Sequence, residues 1–64
     1  MPLIHVDMTA GKATQAQKVR LIARLTDAVS EVLGEEQRSL TIVTLIETPS
    51  GNRGIGGRVY RSDE

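Results

Sequence analysis

The sequence has no cysteine, no tryptophan and no phenylalanine, and a single tyrosine is its whole aromatic content. No disulfide can therefore hold the fold together, and no Cys/His cluster is available for a structural metal. The 64 residues make one domain at most, residues 1–64, and so short a chain buries only about 60% of the surface that its unfolded form exposes. Because such a small core barely offsets the loss of chain entropy, we expect obligate self-association.

The charge balance and the hydropathy exclude several classes of partner. Eight basic residues match eight acidic ones, so the overall field gives no reason to expect nucleic acid or a charged membrane. The scarcity of aromatic rings also removes a stacking platform for bases. No apolar run approaches the roughly 20 residues that span a bilayer, and we see no secretion signal. We therefore expect a cytoplasmic protein.

The first apolar stretch alternates between two unlike sets, as in a β-strand with two faces. Ile4, Val6 and Met8 form the apolar set and should face a helix. Leu3 and His5 then lie on the opposite face, where a partner subunit would pack.

A helix is predicted over residues 14–33. Thr14 and Gln17 fit a capping box at its start, and Gly34 stands where a left-handed C-terminal cap is expected. Basic residues occupy the N-terminal half of the helix and acidic residues the other end, which opposes the helix dipole. We expect these charges either to pair between subunits or, as the commoner alternative, to be solvated.

A second strand is predicted after a polar turn, over residues 40–48, where β-branched residues are dense and Pro49 ends the run. A strand, a long helix and a strand make an α/β chain with a single βαβ unit, parallel strands and a right-handed crossover. Because two strands do not form a stable sheet alone, a dimer should complete a four-stranded one. Four glycines in residues 51–57 indicate a flexible or tightly turned tail.

Three stretches together resemble the tautomerase superfamily, in the short-subunit class typified by 4-oxalocrotonate tautomerase. They are the opening Pro-Leu-Ile-His-Val-Asp, the helix start Thr-Gln-Ala-Gln-Lys and the tail Ser-Gly-Asn-Arg-Gly-Ile-Gly-Gly. The resemblance covers residues 2–58. It implies a C-terminal hairpin that packs on a neighbouring subunit, a hexamer built as a trimer of dimers, no cofactor or metal, and a role in aromatic-compound catabolism.

Pro2 is the candidate catalyst. If Met1 is removed, which the small second residue permits, Pro2 carries a free secondary amine, and an apolar pocket beside other cations would favour its unprotonated form. The resemblance implies that this amine moves a proton in a small 2-oxo or 2-hydroxy-dienoic acid. A retained Met1 would leave the nitrogen as an amide without a basic lone pair, and the alternative is that Pro2 is only a rigid start to a strand.

Substrate carboxylates need cations, and here the chain departs from the family pattern. Lys12 stands where the family has one arginine, while the second family arginine matches Ile42 when Glu47 is aligned with the family glutamate. Arg53 replaces the aromatic residue that precedes Gly-Ile-Gly-Gly. We expect Lys12 to bind the substrate, and we hypothesise that Arg53 supplies the missing cation to Pro2 of a neighbour. The alternative for Arg53 is a solvated loop charge.

Five other residues are weaker candidates. His5 is expected at an interface or on the surface rather than in acid–base chemistry, and Asp7 is expected to be solvated or paired. Tyr60 could donate a proton to an enolate oxygen, and Arg38 and Arg58 are expected to be surface charges. The absence of a phosphate loop, a nucleophile elbow and clustered metal ligands removes most other enzyme classes.

The leading prediction is a cofactor-independent isomerase that acts on a small anionic oxo or enol acid. A hydratase or dehalogenase acting on an unsaturated acid is a close variant. A non-catalytic subunit of a hetero-oligomer is the alternative from another class, and Ile42 and Arg53 motivate it.

Overall fold

The computed structural model describes residues 1–60. Its elements are strand β1 (Leu3–Thr9), helix α1 (Gln15–Leu33), a 3-10 helix (Glu35–Leu40), and strands β2 (Ile42–Thr48), β3 (Arg53–Ile55) and β4 (Arg58–Tyr60). β1 and β2 form one two-stranded sheet, and β3 and β4 form another.

The strands β1 and β2 are parallel and in register from the pair Leu3 and Ile42 to the pair Thr9 and Thr48. With α1 between them they form the predicted βαβ unit. The predicted start of the second strand was two residues early, because Leu40 belongs to the 3-10 helix and not to β2. The hydroxyl of Thr41 donates to the carbonyl of Gln37 at 2.7 Å, which closes that short helix just before the strand.

The two faces of this sheet differ as the alternation predicts. Ile4, Val6 and Met8 are half-buried, whereas the outer face exposes Leu3 at 61% and its register partner Ile42 at 46%. Ile46, further along β2 on the same face, is 41% exposed. Within residues 1–59 no apolar side chain is fully buried, and Ser30 is the one buried residue. One chain thus leaves three apolar side chains of this mixed sheet face in contact with water.

The predicted capping box opens α1. The Thr14 hydroxyl accepts from the N–H of Gln17 at 3.1 Å, and the Gln17 side chain accepts from the N–H of Thr14 at 2.9 Å. The predicted left-handed cap was wrong in detail, since Gly34 combines φ +115° with an extended ψ of 148°. Glycine is still favoured there, because a φ of +115° is a backbone conformation that residues with a Cβ rarely adopt.

Several charged side chains of α1 and of the 3-10 helix form ion pairs within the chain. Arg38 donates to Asp27 at 2.7 Å, to Glu35 at 2.9 Å and to the Ser30 hydroxyl at 2.7 Å, so it ties the 3-10 helix to α1. These hydrogen bonds, chiefly the one to Asp27, raise the pKa of Arg38. Lys18, near the start of α1, pairs with a carboxylate on β2.

The tail forms a hairpin, as the family resemblance implies. β3 and β4 pair antiparallel, and the two residues between them, Gly56 and Gly57, have φ values of +59° and +84°. Positive φ at both central positions is the requirement of the two-residue turn that suits a hairpin, which explains the Gly-Gly pair. In the part of the chain that the structure describes, no helix has the length and apolar character needed to cross a membrane.

Candidate active site

Pro2 lies at the end of the sheet where both parallel strands begin. It is half-buried, and its carbonyl accepts from the N–H of Ile42 at 3.0 Å, so the residue is fixed to the first rung of the sheet. The preceding Met1 is 78% exposed. Loss of Met1 would therefore leave the Pro2 nitrogen at an accessible position beside the apolar residues Leu3 and Ile42.

Lys12 lies at the opposite end of the same strand. It is exposed, in the loop between β1 and α1, and the N–H of Ala10 in this loop donates to the carbonyl of Thr48 at 2.8 Å. The seven residues of β1 separate Lys12 from Pro2, and at about 3.3 Å per residue they span more than ~20 Å. A single chain does not bring the two candidate residues together.

Arg53 contacts the outer face of the sheet. Its guanidinium donates to the Asp7 carboxylate, which also accepts from the Thr48 hydroxyl at 3.2 Å. The hydrogen bond from Arg53 is the main cause that lowers the pKa of Asp7. Arg53 is thus ion-paired within its own chain and is not the solvated loop charge that was its alternative. Of the two expectations for Asp7, solvated or paired, the structure shows the paired one.

Glu47 has contacts that the sequence did not reveal, although its position on the strand could have indicated them. It continues the helix-facing set of β2, after the half-buried Val43 and Leu45, at a point where an apolar residue would continue the pattern. Its carboxylate accepts from the Lys18 ammonium. The Lys18 hydrogen bond is the main cause that lowers the pKa of Glu47.

The remaining candidates lie away from these contacts. His5 is exposed on the outer face, paired in register with Thr44, which fits a surface or interface position. Arg58 is exposed in β4, and the Tyr60 side chain lies outside the described residues. No group of three or more potential metal ligands occurs within residues 1–60.

The match to known proteins decides the family. The model of the Tautomerase family, described as tautomerase enzyme, matches residues 2–62. The chain belongs to the tautomerase family. The resemblance drawn from the three sequence stretches is therefore confirmed, and family membership indicates isomerase chemistry.

Individual tautomerase relatives agree over nearly the full length. The chain is 35% identical over 57 residues to probable tautomerase K2 of Dickeya dadantii (strain 3937), covering 89% of this chain and 84% of that protein. The solved structure of apo unFused 4-OT is 36% identical to this chain. The match covers 92% of this chain and 93% of that chain, with a TM-score of 0.77. A solved 4-oxalocrotonate tautomerase homologue is 30% identical, covers 100% and 97%, and gives a TM-score of 0.80.

Proposed function

We propose that this tautomerase is a cofactor-independent isomerase that moves a proton within a small 2-oxo or 2-hydroxy-enol carboxylic acid, with Pro2 as the general base after removal of Met1. The observation that carries the proposal is the position of Pro2 within the matched range, at an accessible end of the sheet and fixed by the Ile42 N–H. Aromatic-compound catabolism is the metabolic setting that the family resemblance suggests.

The chemistry requires a base that is unprotonated near neutral pH. Once a neighbouring chain covers Leu3 and Ile42, a terminal secondary amine beside them would be poorly solvated, and a less solvated amine favours its neutral form. The free amine takes the proton from the enol hydroxyl, and the same group returns it to carbon as the ketone forms. No redox partner or group donor is needed, because the product is an isomer of the substrate.

The active site would be shared between chains. Pro2 and Lys12 lie at opposite ends of β1, so a second chain whose sheet runs antiparallel to the first would bring its Lys12 end to Pro2. The same pairing completes a four-stranded sheet, and the exposed outer face offers the apolar area for assembly into the trimer of dimers that the family resemblance implies. In this arrangement Lys12, and Arg53 from a neighbour, would orient the substrate carboxylate.

The first test is the ketonisation of phenylenolpyruvate by protein whose mass confirms the loss of Met1. Pro2→Ala should lose most of the rate enhancement, while Pro49→Ala, which changes a proline at the other end of the sheet, should keep it. Equal activity of wild type and Pro2→Ala would contradict the role of Pro2. Full inactivity of a hexameric wild type would contradict the proposed substrate class.

The shared site has its own test. Pro2→Ala and Lys12→Ala subunits, each impaired alone, are mixed, dissociated and reassembled. Random pairing makes about half of the dimers mixed, each with one intact site of two, so about a quarter of wild-type activity should return. No recovery would indicate that Pro2 and Lys12 act from the same chain, whereas full activity of Lys12→Ala by itself would show that Lys12 has no role.

A second candidate function is a non-catalytic subunit of a hetero-oligomer. Ile42 favours it, because an apolar residue occupies the position of a family arginine directly beside Pro2, and so does the pairing of Arg53 with Asp7. Sedimentation of the purified chain separates the two candidates, since a heteromeric subunit should assemble poorly alone. Hydration of an unsaturated acid is less favoured, because the carboxylates of Asp7 and Glu47 are both ion-paired.

A further inference from the structure

Three charged residues of α1 have no partner in the described part of the chain. Arg20, Arg24 and Glu31 are exposed, and none of them forms an ion pair or a side-chain hydrogen bond with another described residue. Lys18 and Asp27, by contrast, are both paired. The charges are also segregated, with both arginines in the N-terminal half of the helix and both acids in the C-terminal half. This order opposes the helix dipole, so the helix by itself does not favour it.

Arg20, Arg24, Asp27 and Glu31 form a charged stripe along α1. Their spacing of four, three and four residues places them on one face of a helix that has 3.6 residues per turn. The spacing is symmetrical, because the two arginines are as far apart as the two acids. A stripe of two cations followed by two anions is complementary to a second copy of itself that runs in the opposite direction.

A single antiparallel register aligns all of these charges. Arg20 then faces Glu31 of the second copy and Arg24 faces its Asp27, since both pairs are centred between residues 25 and 26. This centre is close to the middle of α1, so the two helices overlap over residues 18–33. A register centred on Arg24 would bring the two copies of that residue together, and like-charge repulsion disfavours it. The charges therefore specify the register as well as the direction.

One side of α1 is open for such a contact. The Ser30 hydroxyl accepts from Arg38 of the 3-10 helix at 2.7 Å, so this short helix covers the Ser30 side. Leu21 lies nine residues before Ser30, which is about two and a half turns, and it therefore points to the opposite side of α1. A shallow groove on that opposite side is lined by Gln17, Arg20, Leu21 and Arg24.

The four-stranded sheet of the proposed assembly places two copies of α1 side by side. Leu25 and Val29 are half-buried on the side of α1 that faces the strand pair β1 and β2. Neighbouring strands are about 4.8 Å apart, so the centres of two adjacent strand pairs are ~10 Å apart. Packed helices are typically about 8 to 10 Å apart. Because the second sheet runs antiparallel, its helix does so too, and the two helices come into contact.

We propose that the charged stripes of two copies of this chain pair across the contact between their α1 helices, each arginine with an acid of the other copy. The pairs fix the antiparallel register that the shared site requires, with Lys12 of one copy at Pro2 of the other. Asp27 takes part although it accepts from Arg38, because its side chain is still 54% exposed. The inference rests on the proposed function in one respect, the sharing of the site between two chains.

Charge reversal at one pair tests the contact. Arg20→Glu brings acids together at both ends of the symmetric contact, and Glu31→Arg brings cations together there. Each variant alone should therefore show a dissociation constant about tenfold higher or more. An equimolar mixture should associate as wild type does, because opposite charges meet again at both ends. The double variant Arg20→Glu/Glu31→Arg should associate with itself for the same reason. Sedimentation velocity over a dilution series measures these constants, and circular dichroism reports folding.

Glu36→Arg is the matched control for Glu31→Arg. Glu36 is exposed in the 3-10 helix, outside the charged stripe, and the substitution changes the charge equally. It should leave the dissociation constant unchanged, and it should not restore association when mixed with Arg20→Glu. Unchanged association of both single variants would overturn the inference, and so would a loss in both that mixing does not repair.

Sedimentation needs no turnover, so failure of this inference and failure of the proposed function are distinguishable. If the mixture reassembles but neither it nor wild type ketonises phenylenolpyruvate, the proposed function fails and the ion pairs stand. If wild type is active and its association does not depend on these charges, the ion pairs fail and the proposed function stands. With both correct, each single variant should lose activity where it dissociates and regain it on mixing.

Discussion

Replacing Leu3 with alanine should weaken self-association without unfolding the chain. Leu3 lies on the outer face of the sheet, opposite α1, and is 61% exposed in a single chain. Its truncation removes little that the chain itself has buried. The loss should therefore appear in assembly, where a partner would cover this face.

The size of the effect follows from the exposed fraction of Leu3. The substitution removes three carbon groups, each worth about 0.8 kcal/mol when buried. Since 61% of the residue remains to be covered, complete burial would contribute about 1.5 kcal/mol per chain. A symmetric pair contains the residue twice, so the loss is about 3 kcal/mol, which corresponds to a roughly hundredfold rise in the dissociation constant.

Sedimentation velocity over a dilution series measures this change directly, with circular dichroism at each concentration to report folding. Val32→Ala is the control, because Val32 is 78% exposed but lies on α1 near its end, away from the outer face of the sheet. Identical dissociation constants for wild type and Leu3→Ala would refute the assignment of the outer face as an interface. A wild type that sediments as a single folded chain at all concentrations would refute self-association altogether.

Three further predictions concern the elements that surround the site. In wild type the ion pair between Arg53 and Asp7 should persist as pH falls below the usual aspartate range, and it should be lost when Asp7 is protonated at its lowered pKa. The amide chemical shifts of the hairpin should report this loss in wild type and should not follow the same titration in Asp7→Asn. Thr14→Ala removes the N-cap and should cost about 1 kcal/mol of unfolding free energy, measured in urea. Gly34→Ala should cost at least about 1 kcal/mol in the same assay, because a φ of +115° is strained for alanine.

Each of these predictions has an outcome that contradicts it. Hairpin amide shifts that titrate equally in wild type and Asp7→Asn would show that Asp7 does not hold the hairpin. Gln15→Ala, in the same helical turn, should be nearly neutral, and a loss equal to that of Thr14→Ala would exclude the cap as the cause. Unchanged urea unfolding of Gly34→Ala would show that the chain tolerates a side chain there.

Local chemistry made much of the fold predictable. The alternation in β1 indicated which side chains face the helix, and the Thr14 and Gln17 pair predicted the helix start. The glycines of the tail indicated a flexible or tightly turned segment, while the hairpin itself was implied by the family resemblance. These features depend on residues within a few positions of each other, which is why a single sequence reveals them. The predictions of the start of β2 and of the Gly34 conformation were wrong, because the 3-10 helix that follows α1 determines both.

The sequence by itself determined the family, the βαβ order and the candidate residues Pro2, Lys12 and Arg53. Only the tertiary structure decided how these residues are placed: Pro2 and Lys12 at opposite ends of one strand, and Arg53 held by Asp7. Glu47 became visible as a partner of Lys18 in the same way. The physical reason is that spacing along a chain sets the local conformation, whereas the approach of residues more than 25 positions apart depends on how strands and helix pack.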